Sequence, residues 1–172
     1  FLFNTGPTIG DADTIDSATM ELVGITGGRV ETISGQSTRM VVSTVASNTA
    51  IAITDFEGTV ANTVSQANEI TLANLTMDSA TYNTYTLNAT GLTNISKTGI
   101  TKFGFRFVSD ADNLEPTPFI ANSDAYADVA MAEEVLAGDK RPKLTVTHTD
   151  PSADQWAATQ PLWAMQPVQI PV

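Results

Sequence analysis

An acidic stretch, SDADNLEP at residues 109–116, carries the side chains best suited to bind a metal ion. Its candidate calcium ligands are Asp110, Asp112, Asn113 and Glu115. Carboxylate and amide oxygens at such close spacing are the hard ligands that calcium requires. The stretch lacks the glycine and the distant glutamate of an EF-hand loop. Because Asp and Asn also cap their own backbone in solvated turns, the sequence leaves both a calcium site and an ordinary turn open.

The only histidine, His148, is the other residue with chemistry of its own. A catalytic base needs a nucleophile and an orienting partner nearby, and no motif in the sequence supplies either. Glu133 and Glu134 are adjacent, so they point in different directions and do not form an acid–base pair. We therefore predict a protein that is not an enzyme, with His148 on the surface or at the rim of the domain.

Composition restricts the partners. The net charge is −11 and there is no cysteine. An acidic surface repels phosphate backbones and anionic membranes, which argues against binding to nucleic acid or to a membrane surface. The lack of cysteine excludes disulfide frameworks, zinc ribbons and thiol catalysis. No apolar run reaches the ~18 residues that a membrane-spanning helix needs, so we predict no membrane insertion.

Short β-prone runs separated by Gly, Asn, Asp and Ser dominate the chain. The runs are 18–25, 38–46, 48–56, 68–77, 81–90, 101–110 and 143–149. GITGG at 24–28 and TNISKTG at 93–99 are predicted turns or loops. Only 94–100 and 128–138 have a composition that suits a helix, and the second also fits a strand. Many short strands with little helix predict an all-β fold, an antiparallel β-sandwich.

The run TKFGFRF places Phe103, Phe105 and Phe107 on one face of a strand and Lys102 and Arg106 on the other. Successive side chains of a strand point to opposite faces. The aromatic face is therefore predicted to lie in the core of the sandwich, as is Tyr85 of the preceding run.

The regular alternation stops after Asp150, which predicts a β-sandwich domain at 1–149 and an extended C-terminal arm at 150–172. The arm holds both tryptophans and four of the eight prolines. Its predicted subunit-interface residues are Trp156, Leu162, Trp163, Met165, Val168 and Ile170. Tryptophan is enriched in interface hot spots, and proline-rich extended segments lose little entropy on binding. The alternative is that the arm folds back over its own domain.

Four segments together carry a resemblance to a known family. They are FLFNTGPTIGDADTIDSATMELVG, VVSTVASNTAIAITDFEG, YNTYTLNATGLTNISKTGITKFGFRFVSDADNLEPT and RPKLTVTHT. In this order they resemble DNRLRE-type β-jelly-roll domains, which are related to carbohydrate-binding modules. The resemblance covers roughly residues 1–149. It implies a jelly roll of a secreted, cell-surface or phage-associated protein.

One departure from that family bears on function. Such modules have one or two strands before the FLF-like strand, and these strands are absent here. A sandwich that lacks an edge strand exposes unpaired backbone groups and an open seam in its core. An apolar segment with prolines, such as MQPVQIPV, suits an edge strand, and donation of a strand is a known way of linking subunits.

These observations predict a structural subunit of an extracellular or virion assembly, such as a fibre, a filament or a surface decoration. The expected partners are other copies of the chain or other structural subunits. The alternative is a carbohydrate-binding module, for which Tyr82, Tyr85 and Tyr126 are the only tyrosines available to stack on a sugar. Asn74, Asn88 and Asn94 lie in glycosylation sequons and are expected on the surface.

Overall fold

Eight β-strands supply most of the regular structure in the computed structural model, which describes residues 1–33, 35–48, 61–115, 124–131 and 140–151. The strands are β1 (Leu2–Asn4), β2 (Thr14–Glu31), β3 (Ser37–Val42), β4 (Ile70–Thr71), β5 (Tyr82–Thr86), β6 (Ile100–Phe107), β7 (Ala125–Val129) and β8 (Lys143–Thr149). Two short helices, α1 (Ala89–Thr93) and α2 (Val108–Ala111), and a 3₁₀ turn at Leu72–Asn74 accompany them. The prediction of an all-β chain is confirmed.

The strands form two antiparallel sheets. The first sheet has the order β1-β6-β3-β4. In the second sheet β2 lies between β5 and β7, and β8 also pairs with β2. Both β5 and β8 pair with Thr19–Glu21, so these two strands flank β2 on opposite sides.

The second strand is longer than its sequence suggests. GITGG, predicted as a turn, lies inside β2, and that prediction is wrong. The pairing of β2 with β7 shifts register between Gly24 and Arg29, and Gly27 has a φ of +76°. A glycine with positive φ accommodates an irregularity within a strand without ending it.

The core lies between the two sheets and takes residues from both. Fully buried members include Met20 and Leu22 of β2, Tyr85 of β5, Met40 of β3 and Phe103 of β6. Phe105 and Phe107 pack against this cluster and are partly buried. The predicted aromatic face of β6 therefore does face the core.

Both short helices replace the ends of predicted strands, α1 in the run 81–90 and α2 in the run 101–110. Helix α1 begins after Asn88, whose side-chain oxygen accepts a hydrogen bond from Gly91 N at 2.9 Å. Asparagine at this position satisfies a free amide at the start of a helix. Residues 94–99 form turns and bends before β6, as predicted for this stretch, and do not form the helical turn that their composition also allowed.

Several predictions concern residues outside the described ranges. Most of the predicted strand 48–56 and most of the ambiguous segment 128–138 belong there, although 128 and 129 lie in strand β7. Residues 152–172 also lie outside, and they include all six predicted interface residues. In the described part of the chain, no helix is long and apolar enough to cross a membrane.

Candidate functional site

A cleft of about 350 Å³ opens between strand β1 of one sheet and strand β8 of the other. Its lining residues are Leu2, Phe3, Asn4, Thr5, Thr8, Ile9, Leu144, Val146 and His148. Among them, Phe3 of the first sheet and Leu144 and Val146 of the second pack against the core, of which Ile9 is a buried member. The cleft is therefore an opening into the core along one side of the molecule.

Both strands beside the cleft are edge strands in the part of the chain that the structure describes. There, β1 pairs with β6 and β8 pairs with β2, each along one side only. Edge strands present a row of unpaired N–H and C=O groups that can bind another strand. The cleft thus combines a lining that is about half apolar with backbone groups that are able to pair.

The inward side of β8 can be assigned residue by residue. Leu144, Val146 and His148 are partly buried, and the residues between them are exposed. The carbonyl of Ala18 in β2 accepts a hydrogen bond from Leu87, on the β5 side. The N–H and C=O groups of successive residues point to opposite edges of a strand. Those of Thr19 in β2 therefore point the other way, toward its partner Thr145 in β8. The N–H and C=O groups of the three inward residues of β8 therefore point to its open edge.

One end of the cleft is polar. Nδ1 of His148 lies 2.6 Å from Oδ2 of Asp13, close enough for an ion pair when the imidazole is protonated. The imidazole is not aligned for a hydrogen bond with that oxygen. Asp13 is only 6% exposed, and its Oδ2 accepts a hydrogen bond from Gly10 N at 2.9 Å. Lys97 donates to the main-chain oxygen of Asp13.

The acidic stretch that was predicted to bind calcium contacts two arginines. Both oxygens of Asp112 accept hydrogen bonds from the guanidinium of Arg39, at 2.5 and 3.0 Å. Asp110 Oδ2 accepts from Arg106 Nε at 2.9 Å. Asn113 adopts a φ of +51°, which Asn tolerates in a tight turn. Glu115 is exposed.

Arg39 gathers several acceptors on the outer face of the first sheet. Besides Asp112, it donates to Glu69 Oε1 at 2.7 Å and to the main-chain oxygen of Thr63 at 2.9 Å. The hydrogen bond from Arg39 holds the pKa of the Asp112 carboxyl below its usual value. The described residues contain no group of three or more His, Cys, Asp or Glu that could hold a metal ion. The calcium site stays a prediction, and in it calcium would compete with Arg39 for Asp112.

The three tyrosines proposed for sugar binding have different surroundings. Tyr85 is fully buried, and its hydroxyl lies 2.7 Å from Thr38 Oγ1. It therefore presents no ring face to a sugar. The ring of Tyr82 is covered by Lys143, whose Nζ lies 4.0 Å from the ring centroid. Tyr126 on β7 is 43% exposed and is the tyrosine best placed for stacking.

The three sequon asparagines, Asn74, Asn88 and Asn94, are exposed, as expected. Two of them use their side-chain nitrogen within the domain. Asn88 donates to Ser65 O at 2.9 Å, and Asn94 donates to Gln66 Oε1 at 2.7 Å.

Comparison of the chain with protein-family models, with curated proteins and with solved structures finds no match. The resemblance to DNRLRE-type domains therefore stays a prediction that the quoted segments carry.

Sequence reasoning missed two features of this site. It expected an open seam without locating it between β1 and β8, because strand pairing is set by contacts between distant residues. It also missed the partner of His148. Asp13 precedes β2, and the pairing of Ile15 with His148 brings the two side chains together. The period-2 alternation of KLTVTHT was the available signal for the inward face of β8.

Proposed function

We propose that this chain is a non-enzymatic structural subunit of an extracellular or virion assembly, such as a fibre, a filament or a surface decoration. Its C-terminal arm links it to neighbouring copies or to other structural subunits. The observation that carries the proposal is the partly apolar cleft between the edge strands β1 and β8. Such a cleft on a monomer exposes apolar surface and unpaired backbone groups, which favours association.

The composition of the arm supports the proposal. Residues 152–172 include two tryptophans and several aliphatic side chains, but their only charged side chain is Asp154. Tryptophan is enriched among the residues that carry most of the binding energy of an interface, and burial of aliphatic side chains adds hydrophobic stabilisation. The whole chain, by contrast, has a net charge of −11, so most of its charge lies in the rest of the molecule.

The same charge predicts how assembly depends on salt. Copies that each carry a net charge of −11 repel one another. Salt screens this repulsion over about 10 Å at 0.1 M ionic strength. Assembly through apolar contacts of the arm is therefore favoured by moderate salt, whereas an interface made of ion pairs would be weakened.

The jelly-roll topology belongs to the same proposal. Two antiparallel sheets with a shared core, and a β2 that pairs with the distant strands β5, β7 and β8, are compatible with it. Jelly-roll domains are common in capsids and in lectins, so the fold itself does not distinguish the two candidate functions.

The test is light scattering after size exclusion, on the full chain and on a chain truncated after Asp150. We expect the full chain to form oligomers and the truncated chain to be a monomer. A full-length variant with Trp156→Ala and Trp163→Ala tests the arm without removing it, and Gln169→Ala is the matched control. Two monomeric chains of equal thermal stability would contradict the proposal.

The alternative function is carbohydrate binding, and the exposed ring of Tyr126 favours it. A planar aromatic ring open to solvent can stack on the face of a sugar. Binding on a glycan array that Tyr126→Ala abolishes and Tyr85→Phe retains would support this function. An array without signal for the folded wild-type chain would leave the assembly proposal as the better one.

A further inference from the structure

We infer that residues 166–172 of the arm, QPVQIPV, bind as an added antiparallel strand to the open edge of β8 and close the cleft. This inference rests on the proposed function, in which the arm comes from a neighbouring subunit. To that function it adds the strand that accepts the arm, the direction in which the arm runs along that strand, and the register of their pairing. The argument uses the alternation of backbone and side chains in β8 and the positions of the prolines.

The prolines leave one edge of the arm able to pair. In an extended strand, alternate residues direct their N–H groups to opposite edges and their side chains to opposite faces. Pro161, Pro167 and Pro171 are all odd-numbered, so the missing N–H groups all fall on one edge. The even-numbered residues keep their N–H groups, and this pattern is typical of an edge strand that pairs along one side.

The even-numbered residues also carry the apolar side chains of this segment. Of the even-numbered residues, Val168, Ile170 and Val172 are apolar and Gln166 is polar. When a strand adds antiparallel to β8, its pairing residues point their side chains to the same face as the pairing residues of β8. In β8 those are the inward residues Leu144, Val146 and His148, so the even-numbered side chains of the arm enter the cleft.

The order of apolar and polar side chains along the two strands sets the register. The inward residues of β8 are apolar at Leu144 and Val146 and polar at His148. Read in the opposite direction, the arm offers Ile170, Val168 and then Gln166. Placing Val168 opposite Val146 brings Ile170 opposite Leu144. It also brings the amide of Gln166 to the polar end, beside His148 and Asp13.

Length and reach agree with this placement. Strand β8 has seven residues, and so does the arm segment. At ~3.3 Å per residue each spans roughly 23 Å. The other edge strand beside the cleft, β1, has three residues and would pair with less than half of the segment. The fourteen residues from 152 to 165 reach about 45–50 Å when extended, enough for a neighbouring subunit.

Disulfide trapping tests the inference, and the absence of native cysteine makes the readout unambiguous. Cα atoms of a hydrogen-bonded antiparallel pair are about 5.5 Å apart, which suits a disulfide. We expect Val146→Cys with Val168→Cys to cross-link under mild oxidation. The matched controls, Val146→Cys with Gln169→Cys and Thr145→Cys with Val168→Cys, place one thiol on the outer face and should cross-link at least tenfold less.

A mixing experiment separates this inference from the proposed function. Chains with only Val146→Cys are mixed with chains with only Val168→Cys, and the products are separated under non-reducing conditions and identified by mass spectrometry. A covalent heterodimer supports both the site and the link between subunits. A cross-link that forms only within the double variant supports the site and overturns the linking function. Equal cross-linking by the controls, or none in chains that still assemble, overturns the site.

Discussion

Arg39 of β3 and Arg106 of β6 stand directly opposite each other on neighbouring strands. Like charges in this arrangement destabilise a sheet. Here each guanidinium binds a carboxylate from the segment that follows β6, Asp112 for Arg39 and Asp110 for Arg106. The acidic segment therefore neutralises a pair of cations that strand pairing forces together, and this gives it a structural role whether or not it binds a metal.

The first prediction is that Asp112→Asn lowers the melting temperature more than Glu115→Gln does. Both substitutions remove one negative charge from the same exposed segment, but only Asp112 is bound by Arg39. The pKa of Asp112 is lowered from its usual 3.8. A group whose pKa is lowered by folding stabilises above its unfolded pKa. The difference between wild type and Asp112→Asn should therefore persist above pH 4 and fade as the pH drops further.

Thermal denaturation by circular dichroism between pH 2 and pH 7 checks this prediction. A difference in melting temperature that stays constant down to pH 2 would contradict the role of the Asp112 charge. An equal effect of Glu115→Gln would mean that net charge matters, and the contact with Arg39 does not.

The second prediction concerns calcium. If the predicted site at Asp110, Asp112, Asn113 and Glu115 binds calcium, then millimolar calcium raises the melting temperature relative to EDTA. Asp110→Asn should abolish that rise. Arg39→Gln should increase the calcium affinity, because it removes the cation that competes for Asp112. Titration calorimetry with calcium, and with magnesium as the control ion, measures this; no heat of binding for wild type or Arg39→Gln would contradict the site.

Local patterns in the sequence were enough to predict most of the strands. Strand β8 occupies exactly the predicted run, and the aromatic face of β6 packs on the core. Both follow from period-2 alternation, which any half-buried strand must have. The same pattern does not account for the burial of Arg106, which lies opposite the aromatic face and is only 8% exposed. Its guanidinium donates hydrogen bonds to Asp110 and to the main-chain oxygen of Asn62, which is distant in sequence.

The candidate site was harder to predict for the same reason. The cleft depends on which strands are left at the edges, and this is decided by pairing between segments far apart in sequence. Nothing near His148 in the sequence points to Asp13. The arm, however, could be interpreted from its own sequence. Its prolines and aliphatic residues alternate with one another whatever they bind.

The third prediction concerns Tyr85 of one sheet, whose hydroxyl forms a hydrogen bond with Thr38 of the other sheet. Thr38 Oγ1 donates to Ile70 O at 2.9 Å, so the tyrosine hydroxyl is the donor to Thr38. Burial raises the pKa of Tyr85 to about 12. Between pH 10 and pH 12 the unfolded chain loses this proton and the folded chain keeps it. Its contribution to the free energy of unfolding is therefore full below pH 10 and falls by about 2–3 kcal/mol toward pH 12.

Urea unfolding at pH 8 to 12 checks the effect in Tyr85→Phe, with Tyr126→Phe as the exposed control. Tyr85→Phe should be less stable by about 1 kcal/mol at pH 8, where the hydrogen bond to Thr38 is lost. Its stability should fall less steeply above pH 10. A slope equal to that of wild type would mean that Tyr85 ionises as readily in the folded chain as in the unfolded one.

The fourth prediction is that Gly91→Ala destabilises the domain although it places alanine in a helix. A Cβ at this position would lie 2.1 Å from the main-chain oxygen of Gln66, far inside contact distance. That oxygen accepts a hydrogen bond from Asn88 N, the residue that caps α1, so moving it away from Gly91 would break this hydrogen bond. Overpacking of this kind costs ~1–3 kcal/mol, more than the ~1 kcal/mol that alanine gains over glycine in a helix.

Gly99→Ala is the matched control, because a Cβ there meets only Ser96 Oγ, at 3.6 Å. We expect Gly91→Ala to lower the melting temperature by several degrees, at ~2–4 °C per kcal/mol for a chain of this size, and Gly99→Ala to change it little. Equal melting temperatures for the two variants would show that the segment at Gln66 yields easily. Since Gln66 N donates to Met40 O of the core strand β3, such yielding would also have to disturb the first sheet.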